Sequence, residues 1–435
     1  MKTEPDGRQA QPPASARWRL MPAPTLPLAY FGLAHVALGL AAGVLALWPD
    51  LPGAFHFHPR MVAVLHLVTL GWISASILGA FYIVAPLAFG MPFAVGLADH
   101  VAFGAFWSGV AAMIGGFWLG RYDVVGMGAV GVVGAIAYVG ARAIRGLRVA
   151  RLPAGVALHI VLAFLNMVGA GAFGLWVALA RASGTLAMSP LAVAAAHAHL
   201  AVLGWGVMMV IGVSYRLVPM FLPAAMPDSP RLAYSAIGLE CGTLWIAGAL
   251  LAGAPTWPGA LLVLLGLAAF VREVRGVLAH RRPRPAEMAG RDWATWQTHA
   301  AMAWLGVAIV AGGVGLVRGM SPGLAWVYGL AGVLGFLAQM VVGIQGRLLP
   351  LHAWYRAMHA LGGQPPSRSS HRLARPAFTL GILLAWLAAL PLLAVGLVQG
   401  QPVVIRLGAL ILALSVVAQA VHMALIARAA LVDLD

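Results

Sequence analysis

Charged residues are scarce in this sequence: Asp, Glu, Lys and Arg together make up 9% of its 435 residues, against about 25% in a soluble globule. Hydrophobic residues account for 62% and the mean hydropathy is +0.91, which leaves no room for a sizeable soluble domain. Cysteine is nearly absent. The single Cys241 excludes an internal disulfide and every cysteine-based zinc or iron–sulfur cluster, and its apolar surroundings suggest a small core residue. An apolar core beside a cleavage site is also missing from the N-terminus. Residues 1–24 are polar and rich in Pro and Ala, so they read as a disordered cytoplasmic tail and not as a signal peptide.

What the chain has in abundance is apolar runs of roughly 20 residues, each sufficient for a transmembrane helix. About twelve such spans lie between residues 26 and 428. The fold class is therefore all-α and polytopic, a single transmembrane domain over residues 25–430 embedded in membrane lipid. The net charge of +15 is topological and not a nucleic-acid stripe. Arg142, Arg145, Arg148 and Arg151, the arginines from Arg272 through Arg284, and those from Arg347 through Arg375 fall in alternate loops, while the other side has only Arg60, Arg121, Arg181, Arg318 and Arg406. The positive-inside bias places the rich loops, and with them both termini, in the cytoplasm of a plasma (inner) membrane.

A threefold internal repeat organises these spans. Gly71-Trp72, Gly79 and Pro86 recur as Gly204-Trp205, Gly212 and Pro219, and again as Gly335-Phe336, Gly343 and Pro350. The offsets within each set are equal, and the sets start 133 and 131 residues apart. That is an even number of spans, so the three units share one orientation. They predict three four-helix arcs, over about 26–143, 152–279 and 292–428, with the patterned helix at the centre of each. His35 and His299 each stand 36 residues before the first glycine of their repeat, and His159 stands 45 before its own; a longer Arg181–Pro190 loop would absorb the difference, so the three are expected to be equivalent.

Histidines within the spans point to chemistry, because a polar side chain in hydrocarbon is costly unless it is partnered. His66 and His199 are equivalent, each five residues before the repeat glycine, with Leu330 in the third place. Helical rise puts them about 10–12 Å below the outer face. His197 is two residues from His199, so the two rings point about 200° apart and address different cavities. Which of them faces His66 is left open by spacing. Zinc sites commonly take four close ligands, whereas haem needs one or two axial ligands and a large apolar slot. His66, His197 and His199 are therefore expected to hold haem, with Gly71 and Gly204 opening the slot.

The stretch HAHLAVLGWGVMMVIGVSYRLVP, residues 197–219, resembles a helix in the catalytic subunit of cbb-type haem–copper oxidases and nitric-oxide reductases. The shared frame is H-x-H, then L-G-W, then G-x-x-Y-x-L-V-P. The chain is also similar to the NnrS-like membrane proteins of nitric-oxide stress. The resemblance implies a twelve-helix fold with threefold pseudo-symmetry. It implies that His197 binds a high-spin and His199 a low-spin haem, with cytochrome c or quinol as electron donor and small accessory subunits as partners. It also implies oxidase or nitric-oxide reductase chemistry. Here, however, the motif lies on the sixth span, and no His-His pair exists to supply the copper site of that family. Electron transfer, or O2 or NO binding, is thus expected ahead of reduction at a binuclear centre.

Several residues have two readings. His56 and His58 form either an outer copper or zinc site or a solvated turn, and the turn is the simpler. His35, His159 and His299 are structural hydrogen-bonders or, if the spans tilt, ligands and proton carriers. Glu240 and Arg216 are expected to form an ion pair, because buried charges usually pair. The rival reading of the whole chain is a transporter or copper-handling membrane protein without haem, since internal repeats and buried polar residues suit transporters too.

Overall fold

An unpaired peptide group costs several kcal/mol in hydrocarbon, so apolar runs of this length satisfy their backbones as helices. The computed structural model describes residues 20–54, 58–283 and 291–430, and no strand occurs among them. The long helices are α1 (Leu26–Leu47), α2 (Pro59–Leu87), α3 (Leu97–Leu119), α4 (Tyr122–Leu147), α5 (Ala154–Ala182) and α6 (Pro190–Phe221). They continue as α7 (Arg231–Ala252), α8 (Trp257–Ala279), α9 (Trp293–Arg318), α10 (Pro322–Ala360), α11 (Pro376–Gln399) and α12 (Pro402–Ala429). Eleven are long and apolar enough to cross a membrane, and the chain is an all-α polytopic membrane protein. The expected twelfth, α8, is present as a helix but carries Arg272, Glu273 and Arg275 in its last two turns.

The threefold repeat is visible in how these helices end and pack. The third helix of each arc stops at a left-handed glycine, Gly120, Gly253 or Gly400 (φ 69°, 65° and 61°). A residue without Cβ adopts that conformation without strain. The turn that follows lays the fourth helix back on the third. Gly109 of α3 meets Gly128 of α4, and Gly242 of α7 meets Gly259 of α8, so closely that a Cβ on any of the four would strike the opposing carbonyl. Small residues allow such close backbone approach between membrane helices. α4 packs against α5, and α12 packs against α1, which closes the last arc on the first.

The repeat helices α2, α6 and α10 form three central rods. Each contains one π-helical stretch, Leu67–Ser74, Leu200–Val207 and Ala331–Ala338. Each stretch begins four residues before the repeat glycine. Here the rods touch each other. Trp72 Nε1 donates to the Ala338 carbonyl (3.2 Å), Trp205 Nε1 donates to Ser74 Oγ (3.0 Å), and Gly206 packs under Leu337. Trp72, Trp205 and Phe336 are buried as one layer.

The outer helices correct the expected register. Gly79 packs against Tyr30, Gly212 against His159 and Gly343 against Thr298. His159 is therefore the counterpart of Tyr30. His35 lies edge-on to Trp72 (5.0 Å), and it is Phe164 that meets the equivalent Trp205 (5.3 Å). In the third arc Pro350 does not end its helix, which runs on to Ala360. His352 is fully buried there. Cys241 lies on the exposed face of α7 and not in the core.

A Cβ on Gly71 would collide with the Cβ of Ala37 on α1, which has no freedom to move aside, whereas Gly43 has open space. Gly71→Ala should therefore cost roughly 1–3 kcal/mol and lower Tm in a detergent melt, and Gly43→Ala should leave Tm unchanged or raise it.

Candidate functional site

The imidazoles of His66 and His199 lie six residues, nearly two turns, before Trp72 and Trp205 of the buried layer. His66 is the last residue of α2 before its π-helical stretch. Its Nδ1 sits 2.9 Å from the Val62 carbonyl. A carbonyl can only accept, so Nδ1 carries the proton and Nε2 presents a lone pair. His199 is held alike, with Nδ1 donating to the Ala195 carbonyl at 2.8 Å. Such a bond fixes the tautomer and orientation that a metal-ligating histidine needs.

The rods pair these positions in a cyclic way. His66 faces His197 across the α2–α6 junction, with ring centroids 6.4 Å apart and planes within 19°. His199 faces Tyr328 across the α6–α10 junction, at 5.9 Å and 28°. The Tyr328 hydroxyl donates to His199 Nε2 over 3.2 Å. In each case a residue five before one repeat glycine meets the residue seven before the next. By the same rule the third junction has Leu330 and Val64, both apolar and buried. The structure thus answers what spacing left open: His197, not His199, faces His66.

Surrounding residues shape the first junction. Phe117 of α3 lies 5.0 Å from the His66 ring, and Phe173 of α5 lies 6.4 Å from that of His197. Gly174 gives His197 its place, since a Cβ there would press on the ring. His66, His197, His199 and Tyr328 all keep some accessible surface, as do Leu200 through Leu203 and residues 323–329, whereas Trp72, Trp205 and Phe336 beneath them are sealed. The imidazoles are thus partly accessible residues above a sealed layer.

The remaining sequence candidates scatter. His35 is buried and donates to the Phe31 carbonyl (2.7 Å); His159 is buried against Tyr215 and donates to Gly155 (2.7 Å). His299 is exposed beside Trp296. None of the three joins the site. His58 caps α2, accepting from the Arg60 N–H (3.3 Å), which is the turn reading; His56 lies outside the described residues. The expected ion pair between Glu240 and Arg216 does not form. Glu240 accepts from Asn166 Nδ2 at 2.6 Å, and Arg216 Nε donates to the Ala88 carbonyl at 2.6 Å. The two point to different arcs: α7 turns Glu240 toward α5, and α6 turns Arg216 toward the end of α2. Tyr328 and Asn166 were not among the candidates. Extending the repeat register two residues upstream of His199 puts Tyr328 in the same place as Val64 and His197.

Two facing imidazoles fit an axially ligated macrocycle. Two metal–imidazole bonds of about 2.0–2.1 Å plus the ring radii span roughly the observed centroid separation. Among the described residues, no three His, Cys, Asp or Glu side chains gather as a metal-holding group. A haem asks for fewer, only one or two axial ligands. Compared with protein-family models and curated protein sequences, the chain matches none.

If Glu240 is partnered by Asn166, alanine substitutions at these two positions should couple by roughly 0.5–3 kcal/mol in a double-mutant cycle. The Arg216/Glu240 pair should instead be additive to within about 0.5 kcal/mol.

Proposed function

We propose that this protein binds haem b between its first and second central rods and serves electron transfer or the binding or reduction of O2 or NO. One observation carries the reading: His66 and His197, from neighbouring repeats, face each other in near-parallel planes across the junction. His66 Nε2 is free to ligate because Nδ1 is spent on Val62. A haem so held would supply an iron able to change oxidation state by one electron. The protein residues would fix its axis, exclude water through the Trp72–Trp205–Phe336 floor, and set its surroundings with Phe117 and Phe173.

In this reading His197 serves the six-coordinate site, the reverse of the role that the oxidase resemblance implies. His199 is left to the second junction. There a second haem would take His199 Nε2 in exchange for its hydrogen bond from the Tyr328 hydroxyl, and that hydroxyl would then be a donor available to a bound diatomic gas. The central rods run continuously through their π-helical stretches, unlike the broken helices on which transporters build their sites. The arginine-rich loops support cytoplasmic termini in a bacterial-type inner membrane, with quinol or cytochrome c as donor.

The test is a reduced-minus-oxidised optical spectrum, with pyridine haemochrome, on the purified full chain. A b-type α-band is expected, lost in His66→Ala and in His197→Ala and retained at the first site in His199→Ala. A colourless protein made with ample haem overturns the proposal.

A further inference from the structure

A third junction, where the last arc closes on the first, has a polar interior of its own. A cavity of about 30 Å³ lies among α1, α9, α10, α11 and α12, walled by His35, Gln297, Gln345, Gln419 and His422. All five are more than nine-tenths buried. Their hydrogen bonds determine what faces inward. His35 spends its N–H on Phe31, so its Nε2 is an acceptor. Gln345 Nε2 donates to Ser76 Oγ (3.1 Å), and Gln419 Nε2 donates to Ser415, which leaves both amide oxygens as acceptors. Gln419 Oε1 and both amide atoms of Gln297 have no protein partner. His422 Nε2 accepts the Arg375 N–H (3.1 Å), so its proton is on Nδ1.

We infer that this cavity is a built hydration site for two ordered waters. A cavity holds a water when it offers about 10–15 Å³ and two to four polar partners, so its volume suits two. Two waters bring four O–H donors to four acceptors: His35 Nε2 and the amide oxygens of Gln297, Gln345 and Gln419. The Gln297 NH2 group and His422 Nδ1–H supply donors to the water oxygens. No carboxylate lines the cavity, so a cation would have no counter-charge. The inference is independent of haem. It brings water to His35, whose ring touches Trp72 of the central layer.

High-resolution electron cryomicroscopy of the full chain in lipid nanodiscs, joined to melts of Gln297→Met and Gln419→Met, tests this. Two density peaks within hydrogen-bonding distance of Gln297, Gln345 and Gln419 are expected, and each variant should lower Tm by stranding the waters. A dry cavity predicts the opposite sign at Gln297, because removing an orphaned buried amide is neutral or favourable; Gln419→Met loses its bond to Ser415 in either case, so there the density decides. An empty map, an unchanged or raised Tm, or a peak accompanied by a Na+- or K+-dependent Tm overturns the inference. If one variant fails to fold, the map of the unaltered protein and the other variant decide.

Discussion

The indole N–H of Trp72, donated to the Ala338 carbonyl, and that of Trp205, donated to Ser74 Oγ, hold the three central rods at one level. A π-helical turn widens the helix and loosens its ladder of peptide bonds, which in hydrocarbon must be made good from within the protein. Each rod has such a turn, and that of α10 is helped by its neighbour α2. Ala338 ends the π-stretch of α10 and accepts from α2. In α2, Ser74 Oγ donates to the Thr69 carbonyl (2.8 Å) while it accepts from α6. The repeat glycines seat an outer helix on each rod, since at Gly71, Gly204 and Gly335 a side chain would occupy the space already taken by Ala37 of α1, Asn166 of α5 and Trp304 of α9; they do not open a slot between the rods.

This clasp determines what lies on either side of it. Past the sealed layer the rods diverge, and the imidazoles of His66, His197 and His199 face one another or Tyr328 across the gap. The threefold backbone is dressed asymmetrically. Two junctions carry imidazoles at one level. The third carries Leu330 and Val64 there and is polar instead in the cavity bounded by His35, Gln297, Gln345, Gln419 and His422. The symmetry comes from packing, and the differences are where chemistry is placed.

Much of this was legible in the sequence because membrane helices obey length and period. The spans, the even spacing of the repeat and the shared depth of His66 and His199 follow from rise per residue alone. What was not legible depended on rotation. A loop-length argument aligned His159 with His35, but packing on Gly212 aligns it with Tyr30. Charge logic paired Glu240 with Arg216, yet side chains on different helices meet only if both face the same gap, and Glu240 faces Asn166. The helix α10 accommodates Pro350 and continues, burying His352, which the proline's place in the repeat does not reveal. Tyr328 escaped notice because a tyrosine within a span is ordinarily taken for packing, although its register matched that of His197.

The bonds that clasp the rods join distant parts of the chain. Trp72 reaches Ala338 across 266 positions and Ser76 reaches Gln345 across 269. During synthesis α2 therefore enters the lipid long before its acceptor has left the ribosome, and it waits with an indole N–H unmatched. A chain that stalls or is cut before α10 leaves that group, and the widened turn around it, exposed to lipid. The first arc thereby marks an unfinished protein as unfinished, and it offers the membrane's proteases and chaperones a feature that the completed ring conceals.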